Sequence, residues 1–394
     1  MKNRLLILDA SAYGWPGSTT YLSNLIHNLL EIQDLDLCVI AHKNSCPFSQ
    51  LSVIPSNLEI VYIDKYLPFC FGISFIAKHI SLFRKSFRSS QTRRDFSILV
   101  NTSFAFLPFP DKSTKVWHNS LHLNNVISSL AIIAPKRSLR LLLERIFDSL
   151  VFKNIHSHVF PSLFAQNLVF AAYGHHQNSY IVPHSINHLV TQKRSRLFSV
   201  ELRYHPVCNQ LKSTFDLVYV AALESYKNHF LILQCLELLS LEHEIPLIRF
   251  HLVGPAVHKP LIRQICKSPY LKTGNLFVYG RIPYLQLSEL MLNCDAALAL
   301  SSTETFGYPI VEALAYSLPL LIYNSECNIE LAGNSAIHIN NPRDLCSAIL
   351  MLVRDFSYYS HFRDSSSCRF NYLGNKLSTA FENLLNSLTI YSQP

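Results

Sequence analysis

Glycine and charged side chains are both scarce in this sequence. Only 10 of its 394 residues are glycine and only 15% are charged, whereas 49% are hydrophobic. So large an apolar fraction excludes a mainly disordered chain and predicts sizeable buried cores. At this length we expect two domains of roughly 150 to 200 residues each. With so few glycines, one that stands inside a motif is expected to meet a backbone requirement.

Long hydrophobic runs and metal-binding patterns are also missing. The longest apolar stretch, residues 67–77, is too short to cross a bilayer, which takes about 20 residues. The apolar run near the start meets Asp9 too early for a secretory signal. The ten cysteines include no C-x-x-C pair, and the histidines lack partners at ligand spacing. We therefore expect a cytoplasmic protein with reduced cysteines, no bound metal and no cofactor.

A formal net charge of +8 narrows the choice of partners. Such an excess suits anionic small molecules, anionic membrane surfaces or nucleic acid, but no nucleic-acid recognition module is present. Two stretches, residues 75–94 and 137–153, interleave basic and apolar side chains. They predict amphipathic helices suited to the inner face of a cell membrane. Ordinary packing with a solvated basic face is the alternative for both.

Short apolar runs alternate with helical stretches along the whole chain. Most of these runs are continuous, which is typical of strands covered on both faces, as in parallel sheets. The alternation predicts a doubly wound α/β fold. The predicted strands are residues 4–10, 37–41, 60–63, 97–101, 159–161, 180–183, 216–221, 248–253, 276–280, 296–301 and 318–323, and the predicted helices include residues 19–32, 228–241 and 285–294.

The pattern restarts near residue 215, after a more polar stretch at residues 190–213. We therefore predict two Rossmann-like domains, residues 1–195 and 196–375, that face a cleft. The last segment, residues 376–394, is predicted to be a helix that crosses back to the first domain. Ligands of such folds bind at the carboxyl ends of the strands.

The sequence SSTETFGYPIVEALAYSLP at residues 301–319 places two glutamates, Glu304 and Glu312, on either side of Gly307. Pro309 suits the first position of a helix, so Glu304 lies in a loop and Glu312 in the first helical turns. Free N–H groups at a helix start favour phosphate, and a carboxylate can accept hydrogen bonds from two vicinal hydroxyls. From spacing alone, a sugar-nucleotide site and an ordinary turn both remain open.

The residues around these glutamates resemble the GT-B retaining glycosyltransferases of family 4, the glycosyltransferase group 1 set. The likeness covers most of the chain in family order. It is carried by the segments PSLFAQNLV, YIVPHSIN, LVYVAALESYKNHFLIL, FHLVGPA, LFVYGRIPYLQLSELMLNCDAALALSSTETFG and NSECNIELAGNSAIHINNPRDLCSAI. It is also carried by the run ETFGYPIVEALAYSLP, whose first four residues are the last four of the fifth segment.

The resemblance implies a nucleotide-sugar donor site in the second domain. Glu304 would contact the transferred sugar and Glu312 the nucleotide ribose. Phe306 and Gly307 match positions whose backbone faces the donor sugar and phosphate. Lys227 would neutralise the pyrophosphate, where charge grows as the glycosidic bond breaks.

The sequence departs from the family pattern at one point, on the phosphate side of this site. Many family members carry a Gly-Arg pair where this sequence has Ala221 and Ala222. Arg281 is a candidate substitute for the missing arginine, with an ordinary surface arginine as the alternative.

The first domain would bind the acceptor and add further site residues. Gly14 and Gly17 lie in a stretch that resembles the family's strand, glycine-rich loop and helix, although they can equally be turn glycines. His118 follows the run TKVW at a strand end that in relatives lies near donor and acceptor. It can donate to a sugar hydroxyl or accept a proton, with a structural role and the nearby His122 as alternatives.

The predicted function is that of a retaining glycosyltransferase. It would move a sugar from a nucleotide-sugar donor to a hydroxyl of a saccharide or lipid-linked acceptor, in bacterial cell-surface polysaccharide assembly such as lipopolysaccharide synthesis. A GT-B sugar-nucleotide epimerase is one alternative, but it would need further acid and base residues. A degenerate, non-catalytic binding subunit is the other. The missing arginine at Ala221 or Ala222 favours it, whereas the presence of Glu304, Glu312 and Lys227 opposes it.

Overall fold

The computed structural model describes residues 4–9, 22, 25–26, 29–32, 35–42, 55–63, 96–100, 113–117, 123, 135–184 and 213–388. The chain divides into two units, residues 1–185 with 377–394, and residues 186–376. The predicted domain boundary between residues 195 and 196 lies outside the described residues.

The first unit contains a seven-stranded sheet with the strand order β3-β2-β1-β4-β5-β6-β7. Every strand pair that the structure describes in it is parallel. The strands are β1 (Arg4–Asp9), β2 (Leu35–His42), β3 (Leu58–Ile63), β4 (Phe96–Val100), β5 (Ser113–Val116), β6 (Ser157–Phe160) and β7 (Ser179–Ile181), and the helices with described bounds are α1 (Pro135–Val151) and α2 (Leu163–Tyr173).

Burial of both sheet faces explains the sequence pattern of the first unit. Leu6, Ile7 and Leu8 follow one another in β1, and all three are buried. Strand β5 is different, because its residues Ser113, Thr114 and Lys115 are polar and still buried. No apolar run marks β5, so only the family resemblance indicated a strand there.

The second unit contains a six-stranded parallel sheet with the order β10-β9-β8-β11-β12-β13. Its strands are β8 (Thr214–Val220), β9 (Leu247–Val253), β10 (Leu276–Gly280), β11 (Ala296–Ala299), β12 (Leu320–Tyr323) and β13 (Ala336–Ile339). Its helices are α3 (Phe230–Leu239), α4 (Lys259–Lys267), α5 (Tyr284–Asn293), α6 (Tyr308–Ala315), α7 (Glu326–Ala332), α8 (Pro342–Arg354) and α9 (Phe356–Ser387), the last of which extends past residue 376.

The two sheets confirm the predicted α/β fold with Rossmann-like units. Strand β13 was not predicted, because its sequence AIHI is short and holds an exposed histidine, His338. In the second sheet the strand order reverses between β8 and β11. The chain runs outward from β8 to β10 and then returns to the other side of β8, so it leads from β8 toward one edge of the sheet and from β11 toward the other. Such a switch point is where open α/β sheets bind ligands.

A close backbone contact supports the loop after β8. Gly254, directly after β9, has φ 151°, and a Cβ atom there would overlap the Ala221 carbonyl group. The Ala221 N–H donates to the Val253 carbonyl oxygen at 2.8 Å, and the Gly254 N–H donates to the Gly280 carbonyl oxygen at 2.8 Å. Backbone hydrogen bonds therefore hold the ends of β8, β9 and β10 against one another.

We predict that Gly254→Ala lowers the free energy of unfolding by about 3 kcal/mol, because the clash is with main chain that cannot move aside. Gly374→Ala is the matched control. Gly374 lies inside helix α9 with open space around it, and alanine there should stabilise by up to about 1 kcal/mol. Urea unfolding of both variants measures the difference, and equal effects would contradict the prediction.

Candidate functional site

The loop after β8 is hydrogen-bonded to the loop after β11. Beyond β8 the chain makes a 3₁₀ turn at Ser225–Lys227, followed by Asn228 in the left-handed region with φ 54°. The Asn228 side-chain amide donates to the Leu300 carbonyl oxygen at 2.9 Å. The Ser302 N–H donates to the Tyr226 carbonyl oxygen at 2.9 Å. These bonds hold the two loops together at the switch point of the sheet.

Lys227 and Glu304 form an ion pair across these two loops. Their side chains are 12% and 21% exposed. The Tyr219 hydroxyl donates to the Lys227 carbonyl oxygen at 2.6 Å and so fixes the backbone that carries the ammonium group. Burial by itself would lower the pKa of Lys227, but the Glu304 carboxylate outweighs this, and the pKa lies above its ordinary value. Lys227 is therefore a positive charge at neutral pH.

Gly307 sets the start of helix α6, which follows the Glu304 loop. Its φ of 71° is in the left-handed region, and a Cβ atom would approach the ends of the Ile310 and Leu331 side chains at 3.3 Å each. Tyr308 is the first helical residue, so Pro309 lies one position later than predicted. The difference has little structural effect, because the first four N–H groups of a helix have no intrahelical partner.

Glu312 is a buried carboxyl group on α6. Burial raises its pKa to about 7, and none of the described residues donates a hydrogen bond to its side chain. The buried Phe306 ring packs edge to face on Tyr308, with ring centroids 5.2 Å apart. Phe306 can therefore reach a ligand only through its backbone, whereas Glu312 offers two acceptor oxygens to a ligand with hydroxyl groups.

The phosphate side of the site lacks an arginine close to Lys227 in sequence. Ala221 is buried and Ala222 is half-buried. Arg281 is exposed and follows β10, the edge strand of the sheet. Two strand spacings, about 10 Å, separate the ends of β10 and β8. Arg281 as the substitute arginine stays a prediction.

The predicted residues of the first unit, Gly14, Gly17 and His118, lie outside the described residues, as does His122. Their roles stay predictions. The residue before His118 is Trp117, which is buried and whose indole N–H donates to Nδ1 of His158 at 3.1 Å.

Asn328 of helix α7 is a buried residue that the sequence analysis did not single out. Its side-chain amide nitrogen lies 3.3 Å from the Ala299 carbonyl oxygen and 3.0 Å from those of Ser301 and Tyr323. One amide thus joins the ends of β11 and β12 beneath the Glu304 loop. No sequence signal marks it, because the three carbonyl groups converge only in the folded chain.

His229 is a second buried residue that sequence analysis missed, although it directly follows the Lys-Asn pair. Its ring lies against Tyr219, with centroids 4.7 Å apart. Neither ring nitrogen makes a hydrogen bond of normal geometry with a described residue, although the Glu224 carbonyl lies nearby. Burial, and then the charge of Lys227, lower the pKa of His229 to about 3. The ring is therefore neutral at physiological pH.

Neither a metal cluster nor a spanning helix stands out in the part of the chain that the structure describes. Within it, no group of three or more histidine, cysteine or acidic side chains could hold a metal ion. None of the described helices is both long and apolar enough to cross a membrane. The seven described cysteines are free thiols.

Residues 206–365 match the family model described as "Glycosyl transferases group 1". This segment is less than half of the chain and includes the loops that carry Lys227, Glu304 and Glu312. No curated protein sequence matches the chain significantly.

Solved structures with the same fold cover nearly the whole chain. Alr3699/HepE from Anabaena, in complex with UDP and glucose, shares 15% identity over 96% of this chain and 99% of its own, with a TM-score of 0.59. Sucrose-phosphate synthase from Thermosynechococcus elongatus shares 11% identity over 98% and 100%, with a TM-score of 0.65. WaaG, a glycosyltransferase involved in lipopolysaccharide biosynthesis, shares 12% identity over 98% and 99%, with a TM-score of 0.63. These likenesses confirm the predicted GT-B fold class.

We predict that the buried neutral His229 makes the second unit sensitive to acid. Its pKa is about 3 when folded and close to 6.5 when unfolded, so between these values the unfolded chain binds more protons. The contribution of His229 to stability should therefore fall as the pH drops below 6.5, with a slope approaching about 1.4 kcal/mol per pH unit. The raised pKa of Glu312 acts in the opposite sense between 4.5 and about 7.

Unfolding measured from pH 7 to pH 4 tests this expectation. His229→Phe keeps a flat ring against Tyr219 and should remove this acid-destabilising contribution from the pH slope, whereas His338→Phe at an exposed position should leave the slope unchanged. An identical slope in the wild type and in His229→Phe would contradict the prediction.

Proposed function

We propose that this protein is a retaining glycosyltransferase that transfers a sugar from a nucleotide-sugar donor to a hydroxyl group of a saccharide or lipid-linked acceptor. The observation that carries the proposal is the arrangement at the switch point of the second sheet. There Lys227 and Glu304 form an ion pair between two loops, and the loop of Glu304 leads into helix α6. Helix α6 carries the buried Glu312 carboxyl group, to which no described residue donates a hydrogen bond. The match to group 1 glycosyltransferases spans all three residues.

Lys227 is assigned to the donor pyrophosphate. Its ammonium group is charged at neutral pH and is mostly shielded from solvent, where an electrostatic contact is stronger than in water. When the bond between the sugar and the phosphate breaks, negative charge grows on the leaving phosphate. A fixed positive charge at that point stabilises the transition state more than the bound donor, which is the condition for catalysis.

Glu304 and Glu312 are assigned to the two polyhydroxyl parts of the donor. Glu304, held by Lys227, would accept hydrogen bonds from the transferred sugar. Glu312, buried without a described hydrogen-bond donor, would accept bonds from the two ribose hydroxyls. Such bonds would replace solvation that the buried carboxylate lacks in the free protein. The Anabaena structure contains UDP and glucose, so a UDP-hexose is the first donor to test.

The chemical step is proposed to need no covalent intermediate with the protein. The acceptor oxygen forms its bond to the anomeric carbon on the face that the leaving phosphate vacates. The acceptor proton passes to a phosphate oxygen, and His118 is the candidate residue to assist this transfer. The sugar thus keeps its anomeric configuration. No metal or cofactor takes part in this proposal.

Cell-surface polysaccharide assembly is the proposed setting. WaaG, one of the similar structures, is a glycosyltransferase involved in lipopolysaccharide biosynthesis. A lipid-linked acceptor would place the protein at the inner face of the cell membrane, in contact with the cytoplasm.

Donor hydrolysis across a panel of UDP-, GDP- and ADP-sugars tests the activity. We expect one donor class to release nucleotide, and Glu304→Gln and Lys227→Met each to lower the rate by about 10²- to 10³-fold, as loss of a transition-state contact does. Glu289→Gln, at an exposed position of α5, is the matched control and should be unaffected. Nucleotide binding without turnover would favour the non-catalytic binding subunit. Absence of both binding and turnover with every donor would contradict the proposal.

The ribose assignment predicts pH-dependent donor binding. Glu312 accepts hydrogen bonds from hydroxyls best as a carboxylate, and its pKa is about 7. UDP-glucose does not itself titrate in this range, so its affinity should rise by about tenfold between pH 6 and pH 8. Calorimetric titration at the two pH values measures this rise. Glu312→Gln should bind more weakly and with little pH dependence, whereas equal affinity of the wild type at both values would contradict the assignment.

A further inference from the structure

Helix α1 of the first unit exposes four large apolar side chains, although Leu141 on the opposite side is buried. Leu139, Leu142, Ile146 and Leu150 are 58%, 46%, 47% and 66% exposed. Their spacing of three, four and four residues places them along one side of the helix. We call these four residues the leucine stripe. Such a stripe on a surface helix normally faces the core.

The acidic side chains of the same helix are buried instead. Glu144 and Asp148 are both almost fully buried. Asp148 forms an ion pair with Lys115, a buried residue of strand β5. The Lys115 ammonium group also lies 4.1 Å from the centre of the Trp117 ring. Lys115 is therefore held between a carboxylate and an aromatic ring.

This ion pair determines which side of α1 faces the sheet. Turning the helix to bury the leucine stripe would remove Asp148 from Lys115 and leave a buried ammonium group without a counter-ion. Removal of one partner of a buried pair is strongly destabilising. The orientation of α1 is therefore a built feature of the fold, and the exposed leucine stripe follows from it.

The charges that α1 presents to solvent have one sign. Its two acids are buried, whereas Arg145, and Lys153 just after the helix, are exposed. Among the side chains described on α1 and the turn after it, the exposed charged ones are thus all cationic. An apolar stripe bordered by cations matches the interfacial layer of an anionic bilayer, where aliphatic groups enter the acyl boundary and cations meet lipid phosphates. A protein partner would equally cover the stripe but would not require this single sign.

We propose that the leucine stripe, with Arg145 and Lys153, docks the protein on an anionic membrane surface. The helix lies in the plane of the interface and does not cross the bilayer. The inference stands on the geometry of α1 and does not depend on glycosyl transfer. It specifies the surface through which a protein acting on a lipid-linked acceptor would reach that acceptor.

Sedimentation of the full-length protein with lipid vesicles tests the proposal. We expect binding to vesicles of phosphatidylcholine and phosphatidylglycerol, and much weaker binding to phosphatidylcholine alone. The double variant Ile146→Gln/Leu150→Gln should bind the anionic vesicles about tenfold more weakly or worse, because two exposed aliphatic groups no longer insert. The matched control is Leu241→Gln/Leu285→Gln, which changes two side chains of the second unit that are 73% and 71% exposed and should bind as the wild type does.

Neutralisation of the two cations gives a second readout. Arg145→Gln and Lys153→Gln should each weaken binding to anionic vesicles by about fivefold at low salt, which corresponds to about 1 kcal/mol for each cation. UDP-glucose binding by the same variants should be unchanged, so a failure of docking is distinct from a failure of the proposed activity.

Three results would overturn the proposal. The first is no binding of the wild type to anionic vesicles. The second is equal loss of binding in the Ile146→Gln/Leu150→Gln variant and in the Leu241→Gln/Leu285→Gln control. The third is a wild-type dimer in solution that Ile146→Gln/Leu150→Gln converts to a monomer, because a second copy of the chain would then cover the stripe.

Discussion

The candidate site depends on the ion pair that joins Lys227 to Glu304 across 77 residues of sequence. An ion pair that is mostly shielded from solvent gains attraction but loses the hydration of both charges, so the pair alone is weak evidence for stability. Here it acts together with the Asn228 amide, which reaches the end of β11, and with a backbone hydrogen bond between the same loops. The position of Glu312 follows from this connection, because α6 begins at Tyr308, only four residues after Glu304. The connection between these two loops thus fixes the positions of Lys227, Glu304 and Glu312.

The site also carries groups that weaken the folded chain. A buried glutamate whose pKa is raised to about 7 destabilises the protein above that pH, and a buried histidine held neutral destabilises it in acid. Neither Glu312 nor His229 receives a side-chain hydrogen bond from a described residue that would offset its burial. Groups of this kind concentrate where a protein must bind or react, and stability is lost in exchange for function. Glu312 and His229 are therefore consistent with a ligand site rather than a structural core.

Continuous apolar runs were enough to predict most strands and the α/β class, because a parallel sheet buries both faces of each strand. No apolar run marks strand β5, because the buried Lys115 makes its sequence polar. The partner of Lys115, Asp148, is known only once α1 is packed. The same ion pair turns the acidic side of α1 toward the sheet and its apolar stripe toward solvent. Helical periodicity alone predicts the opposite orientation. For the site, the resemblance put Lys227 and Glu304 in one place, but not in direct contact. His229 and Asn328 were missed because the residues that surround them come together only in the folded chain.

The strand order of the second sheet has a consequence for synthesis of the chain. Strand β8 lies between β9 and β11, and β9 follows it closely in sequence whereas β11 begins at Ala296. While the ribosome makes the intervening residues, one edge of β8 has no partner, although its side chains are mostly apolar. Unpaired edges of this kind are where nascent chains associate wrongly. The candidate site can assemble only after β11 and α6 have emerged, so a truncated product would expose that edge and lack Glu304 and Glu312.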